Sequence, residues 1–268
     1  MTLFIGKNCI EVEKTDSTNS YLSRLLNDDS SALLQDKKEN KLPEGTIVIT
    51  KHQQAGRGQR GTIWESEPNK NLTFSILLRP TFLKPDEQFM LNKVVAMGVM
   101  EFVTSSLDSI SPWKQNEREV KIKWANDIYV GNKKVAGILI ENSVSGNQLQ
   151  QSIIGIGINV NQKKFSAELP NPVSFKLITN KEFDLKECLF QLCSFIEKRY
   201  LQLKANHFEK INKDYLNALY CFEEWKNYKY KGEFLLAKIT GITKVGKLML
   251  ETKRGKFLEC NFKEVEFF

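Results

Sequence analysis

Histidine is almost missing from this chain of 268 residues, in which only His52 and His207 occur. Two isolated imidazoles argue against a histidine-built metal centre and against a serine–histidine triad. Cysteine is sparse too: five residues, at 9, 188, 193, 221 and 260, form an odd and scattered set. That set suggests neither a disulfide framework nor a zinc site. No apolar run approaches the roughly 18 residues of a membrane span. The opening M-T-L-F-I-G-K-N lacks the basic-then-apolar order of a secretion signal, so a cytoplasmic protein without membrane attachment is expected. The net charge of +7 would suit nucleic acid, but the lysines are dispersed and no basic run is interleaved with aromatics. Nucleic acid is therefore not the expected partner. At 41% hydrophobic and 26% charged, the composition is that of a globular chain with room for one large domain, or one plus a small one.

What the chain does have is a glycine- and arginine-rich loop between two strands. Residues 46–51 alternate and are β-branched, and Leu72–Leu78 form a second strand-like run. Between them stands A-G-R-G-Q-R-G-T-I-W. Its glycines let backbone N–H groups approach a ligand, and Arg57 and Arg60 supply forked donors suited to phosphate or carboxylate. The spacing Gly56-x-Gly58-x-x-Gly61 imitates a dinucleotide fingerprint. That fingerprint needs a helix opening at its third glycine, whereas Gly61 leads into T-I-W, a Pro-Asn turn and a strand. The loop reads as an anion holder whose charge comes from arginine, and His52 beside it reads as structural.

A second block, K-I-K-W-A-N-D-I-Y-V-G-N-K-K-V-A-G-I-L-I-E-N, covers 121–142. I-K-W and I-Y-V are strand pieces, Gly131-Asn132 is a hairpin turn, and V-A-G-I-L-I returns as a strand. The hairpin sets Lys134 beside a glycine-punctuated strand, where its ammonium could meet a phosphate. Gly155 and Gly157 then interrupt Q-S-I-I-G-I-G-I-N-V, as glycines do at a bulge or where a ligand comes close.

In order, these motifs resemble those of the biotin protein ligases. Gly-Arg-Gly-x-Arg-Gly-x-x-Trp stands at Gly56–Trp64 and Lys-Trp-Pro-Asn-Asp at Lys123–Asp127. Lys-x-x-Gly-Ile-Leu stands at Lys134–Leu139 and Gly-Ile-Gly-x-Asn-Val at Gly155–Val160. Ser17-Thr18-Asn19 matches a further element, and the likeness extends to the final F-K-E-V-E-F. The resemblance implies an α+β fold, with a central mixed sheet and flanking helices as in class II synthetase-like biotin and lipoate ligases, followed by a small C-terminal SH3-like β-barrel. Short alternating strands with glycine turns beyond about Tyr220 agree with a barrel. The expected units are 1–220, binding biotin and ATP, and 221–268, the SH3-like part.

Apolar spacing predicts helices from Ser20 to about Asn27, from Lys84-Pro85 to Val103, over Leu185–Leu203 and over 207–220, all as scaffold. Residues 28–45 and 108–119 read as polar connections. Gly241–Lys247 mimics a P-loop, but it lies between strands and Leu248 stands where Ser or Thr should meet magnesium, so it is set aside.

Chemically, the resemblance implies a two-step ligation. Biotin and ATP, with Mg²⁺, give biotinyl-5'-AMP and pyrophosphate; a lysine of an acidic biotin carboxyl carrier protein then takes the biotinyl group. Two anions must meet, so positioning and charge neutralisation dominate. Arg57 and Arg60 would hold phosphate oxygens, and Lys134 would stand between the biotin carboxylate and the α-phosphate. Asp127 would order Lys123, contact magnesium or serve as a base. The biotin site implied comprises Ser17, Thr18, Asn19, Gln54, Gly56, Arg57, Lys134 and Gly137. The nucleotide site comprises Arg60, Trp64, Lys123, Asn126 and Asn159, with Trp64 stacking on adenine; no side chain is assigned as a metal ligand. Helix capping would equally explain Ser17 and Thr18, and core burial Trp64.

Three positions depart from the family pattern. Gln59 replaces a frequent arginine, Thr62 a frequent basic residue and Ala125 the usual proline; the first bears on how tightly the adenylate is retained. The loop at 54–71 is expected to close over biotin. Some family members carry an N-terminal DNA-binding domain; with only residues 1–13 ahead of the first motif none is expected here, and a homodimer is left open. The alternatives are a lipoate or octanoate ligase of the sister family, separated by which acid is activated, and a non-catalytic binding protein that uses the barrel.

Overall fold

The computed structural model describes residues 2–27, 42–108 and 119–268. The connections expected at 28–41 and 109–118 lie outside the described residues, as does the Arg60 side chain.

Strand β1 (Cys9–Thr15) pairs in parallel with β2 (Ile47–Gln53). Between them α1 (Thr18–Asn27) lays Leu22 on the sheet, in a small cluster with Val48, Leu77 and Ile153. The helix starts at Thr18 rather than Ser20, and the Gln53 side-chain carbonyl accepts the Thr18 backbone N–H at 2.9 Å. An orphan donor of the first turn is thus satisfied from a neighbouring strand. β3 (Gly56–Arg57) and β4 (Ile63–Trp64) close the glycine–arginine loop as a short hairpin, with a helical turn at Gln59–Gly61. β5 (Leu72–Leu78) is buried along its whole length.

After a turn at Pro85–Glu87 comes α2 (Gln88–Asp108), buried at thirteen positions and so apolar nearly all round, as a helix in the middle of a core must be. β6 (Val120–Lys123), β7 (Asp127–Val130), β8 (Lys133–Ser145) and β9 (Gln148–Ile158) follow, and Gly131, at φ 58°, makes the predicted β7–β8 turn. The remaining helices are α3 (Phe175–Thr179), α4 (Leu185–Lys204) and α5 (Phe208–Ala218).

The large sheet has seven strands in the order β1-β2-β5-β9-β8-β7-β6 and is mixed: β1 and β2 are parallel, the other pairs antiparallel. α2, α4 and α5 fill one face, where Ile154, Ile156 and Ile158 of β9 meet Ala136 and Ile138 of β8. Each such side chain, taken fully out of water, contributes roughly 1.5–3 kcal/mol. Arg199 of α4 ties the helices together by ion pairs to Glu101 of α2 and to Asp214 of α5, the latter at 2.8 Å. Buried Glu197 accepts the N–H groups of Leu3, Phe4 and Ile5 at 2.5–2.9 Å and so pins the start of the chain.

β10 (Trp225–Tyr230), β11 (Glu233–Ile242), β12 (Leu248–Thr252), β13 (Phe257–Cys260) and β14 (Val265–Phe267) form the expected C-terminal unit, an antiparallel five-stranded sheet in the order β13-β12-β11-β10-β14. Trp124 joins it to the main sheet, donating its Nε1–H to the Gly246 carbonyl at 3.0 Å and packing its ring 5.7 Å from Phe262. Among the described residues no helix is long and apolar enough to cross a membrane. The five cysteines are free, and burial pushes the Cys188 and Cys193 thiols up to about 12, which leaves them inert.

Candidate active site

On the sheet face beneath α1, residues of β5, β9 and β8 line up in three cross-strand rows: Thr73–Gly157–Gly137, Ser75–Gly155–Leu139 and Leu77–Ile153–Glu141. Two of these rows have glycine at the centre. Without side chains there, a cleft of about 530 Å³ opens above the sheet. The glycines are required sterically: a Cβ at Gly157 would overlap the indole of Trp64, and one at Gly155 would overlap the amide of Asn19. The close approach that glycine signals in a strand is thus made here by the protein's own Trp64 and Asn19.

The start of α1 supplies one wall. Ser17, Thr18 and Asn19 are all buried, and the Ser75 hydroxyl lies 2.7 Å from Thr18 Oγ1 and 2.6 Å from Asn19 Oδ1. Asp16, just ahead, is held well below the usual carboxylate range by a hydrogen-bonded pair to Arg24 at 2.8–2.9 Å. Arg57 reaches over from the loop, its Nη2 2.9 Å from both oxygens of Glu141, while Asn19 Nδ2 donates to Glu141 Oε2 at 2.7 Å.

On the opposite side, Lys134 Nζ pairs with Asp127 at 2.8 Å and stands 5.6 Å from the centre of the Trp64 ring. The Trp64 Nε1–H is buried without a hydrogen-bond partner. An unpaired buried donor beside a cleft is a place for a ligand acceptor.

The structure brings most of the sequence-predicted residues to one cleft: Ser17, Thr18, Asn19, Arg57, Trp64 and Lys134 line it, as do Asn126, Asp127, Gly137 and Asn159. Two of these use their amides as braces, Asn126 donating to the Ile138 carbonyl and Asn159 to the Val173 carbonyl at 3.1 Å. Three predicted residues do not line the cleft. Gly56 is covered by the Trp64 backbone in the β3–β4 hairpin, and its neighbour in the motif, Gln54, gives its place to Gln53. Lys123 points to the C-terminal unit, its Nζ 4.9 Å from the rings of Tyr129 and Phe267, and burial pushes its pKa down. Sequence reasoning missed Gln53 and Glu141. Alternation would have found Glu141, four positions along β8 from Gly137 and on the same face; nothing in the sequence separates Gln53 from Gln54. Phe262 and Lys263, at the rim, come from the C-terminal unit.

A mixed seven-stranded sheet with α2, α4 and α5 on one side, a glycine-floored cleft beside α1 on the other and a five-stranded C-terminal unit is the biotin ligase fold. The structure of biotin protein ligase from Aquifex aeolicus in complex with biotin and ATP matches 98% of this chain and 99% of its own, with a TM-score of 0.74 and 26% identity. A profile of the Biotin/lipoate A/B protein ligase family matches residues 14–159, and the chain belongs to that family. The bifunctional ligase/repressor BirA of Bacillus subtilis is 32% identical over 223 residues, which are 81% of this chain and 64% of that protein. The biotin--[acetyl-CoA-carboxylase] ligase of Paracoccus denitrificans is 30% identical over 175 residues, 63% of this chain and 68% of its own. The chain thus spans just under two thirds of the Bacillus protein.

Proposed function

We propose that this protein is an ATP-dependent biotin–protein ligase, which joins biotin to AMP and passes the biotinyl group to a lysine of a carrier protein. The observation that carries this reading is the Lys134–Asp127 pair, 2.8 Å apart, beside the glycine floor and the Trp64 ring. In the first step a carboxylate oxygen bonds to the α-phosphorus as the bond to pyrophosphate breaks. Lys134 neutralises the charge that gathers between the two anions, and Arg57 and Arg60 hold phosphate oxygens. In the second step the carrier's neutral lysine amine attacks the activated carbonyl, AMP leaves with the bonding pair, and Asp127 takes the amine's proton.

Ser17, Thr18, Asn19 and Gln53 offer the hydrogen bonds for biotin's ureido ring, and Trp64 the stacking surface for adenine. Asp127, a carboxylate in the cleft lining, would be the residue to hold a magnesium ion brought in with ATP, and that ion would add charge neutralisation for the phosphates. Residues 1–220 would carry both steps, with 221–268 adding Phe262 and Lys263 at the rim.

The test is exchange of labelled pyrophosphate into ATP, run with biotin, lipoate and octanoate in parallel. Exchange with biotin alone is expected. Exchange with lipoate or octanoate instead would move the protein to the sister activity, and no exchange with any acid, from folded protein with magnesium present, would overturn the enzyme reading.

A further inference from the structure

We propose that Glu141 is a positioning residue that aims Arg57 and Asn19 together, and so couples the anion-holding loop to the wall at the start of α1. The kinetic part of this proposal rests on the ligase reading above. Glu141 sits on β8 in register with Ile153, on the face that carries Gly137 and Leu139, at the end of the glycine floor. Two donors converge on its carboxylate. One is charged, Arg57 Nη2 at 2.9 Å from both oxygens; the other is neutral, Asn19 Nδ2 at 2.7 Å.

The connection continues beyond Asn19. Its Oδ1 lies 2.6 Å from the Ser75 hydroxyl, that hydroxyl 2.7 Å from Thr18 Oγ1, and the Thr18 backbone N–H donates to Gln53 Oε1 at 2.9 Å. A single hydrogen-bonded path therefore runs from the arginine loop around the glycine floor to the end of β2. Both ends of the Asn19 amide are engaged, which fixes its orientation. Without Glu141, the remaining acceptor for Nδ2 is the Leu139 carbonyl, at 3.4 Å.

Arg57 and Glu141 are both close to half exposed, and an ion pair this open adds little to stability. What the pair changes is direction. It holds the guanidinium over the sheet, and it does so through the same carboxylate that orients a side chain in the adjoining wall. A carboxylate suits this task because a charged donor and a neutral donor must be satisfied at once.

The experiment compares wild type with Glu141→Ala and Glu141→Gln in the biotin-dependent exchange assay, and adds Arg57→Ala alone and combined with Glu141→Ala. Glu141→Ala should raise the KM for both biotin and ATP about tenfold with an unchanged melting temperature. Glu141→Gln can still accept from Asn19 but carries no charge for Arg57, so it should recover the biotin KM more than the ATP KM. The double variant should be no worse than Arg57→Ala alone, since residues acting through one contact are not additive. Unchanged KM values, or additive losses, would overturn the proposal. Tryptic cleavage within 56–61 gives a readout independent of turnover: it should be faster in Glu141→Ala than in wild type, and equal rates would count against the contact. If wild type exchanges no label, the ligase reading fails while the cleavage comparison still decides whether Glu141 holds the loop.

Discussion

The two faces of β8 and β9 are made by the same residues read alternately, yet they differ in almost every respect. One face presents Ala136, Ile138, Ile154, Ile156 and Ile158 to three helices and is closed to water. The other presents Gly137, Gly155 and Gly157, then Glu141, and is roofed in part by Trp64, Asn19 and Arg57. Most of the buried apolar core lies on the isoleucine face, while the other face packs only the small Leu22 cluster under α1 and leaves its glycine end open to a cleft. The glycine floor lets Trp64 and Asn19 come down onto the strand backbone, while close packing of the reverse side keeps those strands in place.

That division can be broken experimentally. Lys134→Ala should cause the largest loss, about 10²–10³-fold in biotin-dependent exchange, because the charge it neutralises is greatest in the transition state. Its melting temperature should stay at the wild-type value; a clear fall would show that the glycine face also carries stability. Ile154→Ala, fully buried on the other face, should lower the unfolding free energy by about 2–5 kcal/mol in a denaturant titration. At temperatures where it remains folded, its KM for biotin should match wild type.

A smaller effect sharpens the picture of the helical layer. Lys93 of α2 is buried, with its Nζ 2.6 Å from Asn212 Oδ1 and near the Phe89 and Tyr215 rings, and burial lowers its pKa from 10.5 to about 8. The unfolded chain keeps this proton to higher pH than the folded one. Stability therefore rises as pH increases from about 8 towards 10.5, by an amount on the order of 2 kcal/mol. Lys93→Met should remove that rise, which thermal melts at pH 7 and pH 9.5 would reveal.

Much of this arrangement was legible in the sequence, because periodicity and turn chemistry are local. Leu72–Leu78 has the pattern of a strand and is β5 from end to end, the Gly131-Asn132 turn joins β7 to β8, and the helix that the apolar spacing predicts over Leu185–Leu203 ends at Lys204. The placements that differ from the sequence reading are those where a side chain's direction depends on partners far along the chain. Lys123 sits inside a ligase-like motif and opposite Asp127, but its ammonium lies 4.9 Å from the rings of Tyr129 and Phe267, the latter from the last strand, and does not line the cleft. Gln53 and Gln54 are adjacent and identical, and it is Gln53 that reaches the start of α1 and lines the cleft. Glu141 acquires a role only when Arg57 and Asn19 arrive from 84 and 122 positions away.

The most direct test of the claim that the glycine face is the ligand face is hydrogen–deuterium exchange of the intact chain, with and without biotin and ATP. Slower exchange is expected at 17–19 and across the 53–64 loop, with little change in the strands from Trp225 to Cys260. Protection confined to the C-terminal unit, with none in the loop, would contradict that claim.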